Sequence, residues 1–141
     1  VPDIAYFGQK DAQQAIVIRK MAKDLNMDVD IKVMTIVREK DGLAMSSRNS
    51  YLSREERVQA TSLYNALRLA KLLFNQGERS AGNIISRMKD VIDKEPDAKL
   101  DYIVIVDAKE LKPVKKISGR TLAAVAAWVG NTRLIDNIFL N

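Results

Sequence analysis

Two short stretches of this chain gather side chains that can hold phosphate. The first is Gly8-Gln9-Lys10-Asp11, followed by Gln13 and Gln14. It falls where a short apolar stretch, Ile4 to Phe7, ends and a helical pattern begins. A strand-to-helix junction leaves backbone N–H groups free and presents the positive end of the helix dipole, so it favours anions. Gly8 lets a ligand approach the backbone, and Lys10 supplies a cation of long reach. Asp11 either caps the helix or accepts hydrogen bonds from a sugar hydroxyl. Gln14, one turn beyond Lys10, offers both a donor and an acceptor. The second stretch is Gly42-Leu43-Ala44-Met45-Ser46-Ser47-Arg48-Asn49. Two hydroxyls and a guanidinium on one loop, hinged at Gly42, can wrap a phosphate chain. Each stretch has a plainer alternative: a helix cap with a surface lysine, and a polar interdomain linker. They strengthen each other because both sit at the C-terminal ends of consecutive strands, where open α/β sheets bind ligands.

Composition narrows the chemistry further. The 141 residues contain no cysteine and no histidine. Within these residues there is no disulfide framework, no Cys/His zinc site and no Ser-His-Asp or Cys-His catalysis. Lys, Arg, Asp, Glu, Gln, Ser and backbone N–H groups remain, a set better suited to holding phosphates than to moving protons. The net charge is +5, and much of the excess lies in Lys109, Lys112, Lys115, Lys116 and Arg120. No aromatic residue is interleaved with that cluster, so a single-strand stacking platform is not expected; a solvated loop is the simpler reading. The longest apolar run, Leu122 to Val129, is too short to span a bilayer. No signal-peptide pattern is visible. The expectation is a cytoplasmic protein that engages neither membrane nor nucleic acid.

Elements that position these stretches follow from periodicity. Ile4 to Phe7 reads as a strand, and a helix opens at Asp11 or a neighbour, with Ile16, Met21 and Leu25 on its apolar face and a stop near Asn26. Asp28 to Arg38 alternates like a strand, completing a β-α-β unit of the kind that builds parallel sheets. Such a unit needs further strands to be stable. Ser53-Arg54-Glu55-Glu56 is a capping box opening a helix that carries Val58, Leu63, Leu67, Ala70, Leu73 and Phe74 on one face. Gly77 fits its C-terminal cap. Ser80 caps a second helix with Ile84, Ile85, Met88, Val91 and Ile92, which Pro96 stops. Leu100 to Val106 reads as a buried strand. Thr121 to Val129 suits helix or strand; strand is preferred because Gly130-Asn131 and Leu134 to Leu140 then complete a hairpin. Trp128 is expected in the core, and Arg133 and Asp136 are expected to pair locally or cap the final strand. The chain divides into residues 1–48 and 49–141.

The run Tyr6-Phe7-Gly8-Gln9-Lys10-Asp11-Ala12-Gln13-Gln14, then Val37-Arg38-Glu39, Gly42 through Leu52, and Ala126-Ala127-Trp128-Val129-Gly130-Asn131-Thr132-Arg133-Leu134-Ile135-Asp136-Asn137, resembles the pantothenate synthetase (pantoate–β-alanine ligase) family along the whole chain. Met45 to Arg48 is similar to that family's version of the KMSKS loop of HIGH-type nucleotidyltransferases. The resemblance implies an ATP-dependent ligase. Pantoate attacks the α-phosphate of ATP, and β-alanine then displaces AMP to give pantothenate. Mg2+ accompanies the nucleotide, and no metal ligand is assigned to this chain. Residues 1–48 would be the end of a Rossmann-like parallel-sheet domain binding ATP and pantoate. Residues 49–141 would be a small α+β lid, a helical hairpin plus a three-stranded antiparallel sheet. Gly8, Gln9 and Asp11 would bind ATP, with Gly8 and Asp11 at the ribose. Lys10 would hold phosphate charge, Gln14 would bind pantoate, and the Val37 backbone would meet adenine. Met45, Ser46, Ser47 and Arg48 would close over the phosphates, with Lys10, Ser46, Ser47 and Arg48 as the catalytic set. The family's His-x-Gly-His motif and second pantoate-binding glutamine have no counterpart here. The chain is therefore expected to correspond to the C-terminal half, inactive alone, and to belong to a homodimer when complete. The alternatives are a non-catalytic binding module and a basic nucleic-acid-binding domain using Lys109 to Arg120.

Overall fold

The structure, a computed structural model, describes residues 9–27 and 38–141. Helix α1 spans Gln9–Met27. It opens two residues before Asp11 and runs one residue past Asn26. The strands expected at 4–7 and 28–38 lie outside the described residues, Arg38 excepted. A single 3-10 turn follows at Ser47–Tyr51. Helices α2 (Arg54–Ala60), α3 (Ser62–Asn75) and α4 (Ala81–Asp93) precede strands β1 (Ala98–Asp107), β2 (Thr121–Val129) and β3 (Thr132–Leu140). The strands form a three-stranded antiparallel sheet in the order β1-β2-β3. With the helices this makes the small α+β domain that the sequence implied.

Strand β2 is buried on both faces, which is why its sequence is apolar throughout rather than alternating. Ala123, Val125, Ala127 and Val129 pack toward Leu63 and Leu67 of α3 and Ile84, Met88 and Ile92 of α4. Leu122, Ala124 and Ala126 pack on the other side with Tyr102, Val104 and Val106 of β1 and with Met21 and Leu25 of α1. A helix-like alanine content and a strand-like environment coexist there because small side chains let helices approach the sheet from both sides. The β2–β3 hairpin turns at Gly130-Asn131 as expected. Gly130 adopts φ +59°, and a Cβ on it would overlap the Glu56 carboxylate.

Local signals set the helix ends. The Ser53 hydroxyl accepts from the Glu56 N–H at 3.1 Å and the Glu56 carboxylate accepts from the Ser53 N–H at 2.9 Å, the reciprocal capping box. The Ser80 hydroxyl accepts from the Asn83 N–H and opens α4. Gly77, at φ +104°, closes α3.

Three sequence expectations need correction. Ser53 does not open one long helix: the chain breaks at Thr61, whose hydroxyl donates to the Val58 carbonyl at 2.7 Å. That contact competes with helix continuation, and Val58, expected on the apolar face, is 67% exposed. Trp128 is not core; it lies on the α1 side of β2, 40% exposed. Arg133 and Asp136 do not pair locally. Each finds partners far away in sequence, and these partners build the candidate site.

Candidate active site

Residues 38–52 meet β3, one edge strand of the sheet, through the 3-10 turn, the Arg38–Asp136 pair and the Arg48 contact to the Arg133 carbonyl. The segment begins as a tight turn. Arg38 bridges Ala44, the Glu39 N–H donates to the Leu43 carbonyl at 2.8 Å, and the Gly42 N–H donates to the Glu39 carbonyl at 2.9 Å. Gly42 is required twice over: its φ is +96°, and a Cβ would run into the Tyr64 ring. Leu43, buried, joins the core formed with α3 and α4.

Charged side chains then brace the turn. Arg38 donates to both Asp136 carboxylate oxygens, at 2.6 and 3.0 Å, and to the Gly42 carbonyl at 3.0 Å. Its guanidinium lies 4.2 Å from the centroid of Tyr64. Burial pushes the Asp136 carboxyl above its ordinary value, and the Arg38 contacts offset only part of that rise. Arg57 grips both Asp41 oxygens at 2.6 and 3.0 Å and reaches Glu39 at 3.1 Å. The Arg57 hydrogen bond holds Asp41 below the usual aspartate range, and Arg57 itself is raised in return. Asn49 closes the base, its amide donating to Glu39 at 2.8 Å and to the Ala44 carbonyl at 3.1 Å.

Between Ala44 and Asn49 the chain turns outward. Met45, Ser46, Ser47 and Arg48 are all exposed. The Ser46 hydroxyl accepts from the Arg48 N–H at 3.1 Å, capping the 3-10 turn. The Arg48 guanidinium reaches the Arg133 carbonyl at 3.4 Å and otherwise faces solvent. Two hydroxyls and a guanidinium thus project from a base fixed by Arg38, Arg57 and Asn49, an arrangement able to collect a polyanion without first ordering the loop.

The other expected residues fall elsewhere. Gly8 and Val37 lie outside the described residues. Gln9, Lys10 and Asp11 are in the first turn of α1, and Gln14 is in the second. Helix α1 is tied to the sheet by a second polar cluster. Arg133 donates to both oxygens of Asp24 at 2.9 and 3.1 Å and to Asp101 at 3.0 Å. Lys20 reaches Asp101 at 3.0 Å, and the Tyr102 hydroxyl donates to Asp24 at 2.7 Å. Asp24 hydrogen bonds and charge raise Arg133. Burial, then the Asp24 contact, raises the Tyr102 phenol. Arg133 therefore stands between the two candidate stretches: its side chain holds α1 while its carbonyl meets Arg48. Sequence reasoning missed the bracing roles of Arg38, Asp136, Arg57 and Arg133. The Arg38–Asp136 pair spans 98 residues, a distance over which no periodicity reports.

A family model described as pantoate-beta-alanine ligase matches residues 1–139. The chain belongs to that family. Among its relatives, the pantothenate synthetase of Caldicellulosiruptor saccharolyticus is 57% identical over 137 residues, which is 97% of the chain and 49% of the relative. That of Thermotoga petrophila is 56% identical over 139 residues, 99% of the chain and 50% of the relative. The crystal structure of pantothenate synthetase from Thermus thermophilus superposes with a TM-score of 0.70 at 35% identity, covering 94% of the chain and 48% of that structure. The chain spans about half the length of the curated relatives it matches.

Proposed function

We propose that this chain supplies the C-terminal portion of a ligase that joins (R)-pantoate to β-alanine at the expense of ATP. The observation that carries the reading is the outward turn Met45 to Arg48, donor-rich and set on a braced base, in a chain of this family. A pantoate carboxylate oxygen attacks the α-phosphorus of ATP. The bond from that phosphorus to the bridging oxygen breaks, and pyrophosphate leaves, giving pantoyl adenylate. The β-alanine amine then attacks the acyl carbon and loses a proton, and AMP departs, giving pantothenate. The carboxylate is already an anion at neutral pH, so the first step needs charge stabilisation rather than a base. Lys10, Ser46, Ser47 and Arg48 supply it as catalytic residues. Gly8, Gln9, Asp11, Val37 and Met45 complete the ATP contacts, and Gln14 binds pantoate.

Mg2+ would arrive with the nucleotide phosphates. When bound, it would supply further positive charge at those phosphates. We assign residues 1–48 to the end of a Rossmann-like domain and 49–141 to a lid, with the turn at Arg38 to Leu43 already seated on the second unit. The catalytic unit would be completed by a segment bearing the His-x-Gly-His motif and would act as a cytoplasmic homodimer. The test is AMP release from pantoate, β-alanine and ATP, with and without that segment. Turnover only with both parts supports the assignment; turnover by the 141 residues alone, or by neither arrangement, contradicts it.

A further inference from the structure

Asp136 stands on the side of β3 that faces α3 and α4, where its strand neighbours Leu134, Ile138 and Leu140 are all packed into or against an apolar cluster. Its side chain is 3% exposed. A carboxylate placed there is costly, and replacing a buried ion pair by apolar residues of similar size is often neutral or stabilising. Fold stability is therefore a weak account of this pair, and geometry is the stronger one. The only cation on Asp136 among the described contacts is Arg38, gripped at both oxygens. Arg38 in turn takes the Gly42 carbonyl and lies over Tyr64. A guanidinium with two carboxylate contacts, a carbonyl contact and a stacking face has one orientation. Through the Arg38–Ala44 bridge and the Asn49 amide on the Ala44 carbonyl, that orientation is passed to both ends of the outward turn.

We propose that Asp136, acting through Arg38, is the positioning residue that sets where Met45 to Arg48 stand relative to the phosphates. This rests on the phosphate-handling role assigned to that turn. Neither residue touches the substrate; both act by fixing the loop base.

The double variant Arg38→Met/Asp136→Leu separates positioning from stability. In the full chain, amide hydrogen exchange should show the Leu52 and Asn49 amides, bonded within the 3-10 turn, and the Glu39 amide losing protection by about tenfold or more. The β1–β2 ladder should keep its protection, and the thermal midpoint should stay near that of the parent. In the enzyme completed by the His-x-Gly-His segment, pantoate-dependent exchange of pyrophosphate into ATP should fall by about tenfold or more, in kcat rather than in the KM for pantoate. If the double variant does not fold, Asp136→Asn, which keeps the shape and removes the charge, is read by loss of protection in the turn relative to the ladder alone, since an Arg38 left without its carboxylate lowers the overall midpoint as well. Unchanged protection in the turn overturns the proposal, as does equal loss in turn and ladder. Altered protection with wild-type exchange also overturns it. An assembled parent enzyme without any exchange would instead count against the ligase assignment, while the hydrogen-exchange result would still decide whether Asp136 positions the loop.

Discussion

The two faces of the sheet are covered by different means. Toward α3 and α4 the contact is a continuous apolar core, Leu63, Leu67, Ile84, Met88 and Ile92 against the odd-numbered residues of β2. The one carboxylate of β3 on that side, Asp136, is taken up by Arg38. Toward α1 the described apolar contacts of the helix are Met21 and Leu25 with Val17 and Ile18 beside them. There a polar rim of Lys20, Asp24, Asp101, Tyr102 and Arg133 does much of the holding. Apolar burial is strong but non-directional; charged hydrogen bonds are weaker in net terms but fix angle and register. The first face makes the domain, and the second aims a helix whose first turn carries Lys10.

The apolar face should be the more costly one to disturb. Leu67→Ala, at a fully buried site, should cost about 2–5 kcal/mol, read as a lower urea midpoint for the whole cooperative transition. A loss confined to α1 would mean the faces have been assigned wrongly. Arg133→Ala strips Asp24 and Asp101 of their shared partner and should cost about 1–3 kcal/mol. Its signature is regional: α1 amides exchange faster while α3 and α4 keep their protection. Uniform loss would show that α1 and the main core are one unit.

Acid should act in the same sense, more gently. Burial raises Asp101, but hydrogen bonds from Lys20 and Arg133 outweigh it and leave the carboxyl below its ordinary value. Asp41 is lowered by Arg57. A lowered folded value means the stabilisation is complete above the unfolded aspartate range, about pH 4, and is lost as pH falls through the folded values. Asp136, raised by burial, works the other way and is relieved as it protonates. Titration from neutral pH toward about pH 3 should therefore loosen α1 before α3 and α4, followed by exchange or by Tyr102 resonances. Simultaneous loosening would contradict the polar-rim account. The smallest effect belongs to Lys20→Ala. That side chain is 49% exposed, so its pair with Asp101 should be worth less than about 1 kcal/mol, and a larger shift in midpoint would give Lys20 a role beyond this pair.

Much of the domain could be read from local chemistry. The Ser53 and Ser80 caps, the Gly77 stop and the Gly130-Asn131 hairpin are short-range devices, and each lies where its residues imply. The Met45 to Arg48 turn was also legible as a donor-rich loop, although Gly42, expected as its hinge, is locked into the braced turn by its φ of +96° and the Tyr64 ring. What could not be read were choices made by distant partners. Trp128 looks like core by composition, yet it sits at the end of β2 across from Arg133, beyond the reach of the apolar cover. Thr61 looks like an ordinary helix residue, and its back-bond to Val58 is a choice between two local hydrogen bonds. The Arg38–Asp136 and Arg133–Asp24 pairs depend on where the loop and the helix meet the sheet, and a charge carries no sign of its partner's address.

In the proposed reaction the exposed turn stabilises charge on phosphorus. The direct measurement is pantoate-dependent exchange of labelled pyrophosphate into ATP by the completed enzyme, comparing the parent with Arg48→Ala. Arg48 is exposed and bonded to the body only through one 3.4 Å contact to a carbonyl, so the variant should fold with an unchanged thermal midpoint. Loss of a preorganised donor at the developing charge should slow exchange by about 100-fold. Exchange at the parent rate with the fold intact would exclude the turn from that role.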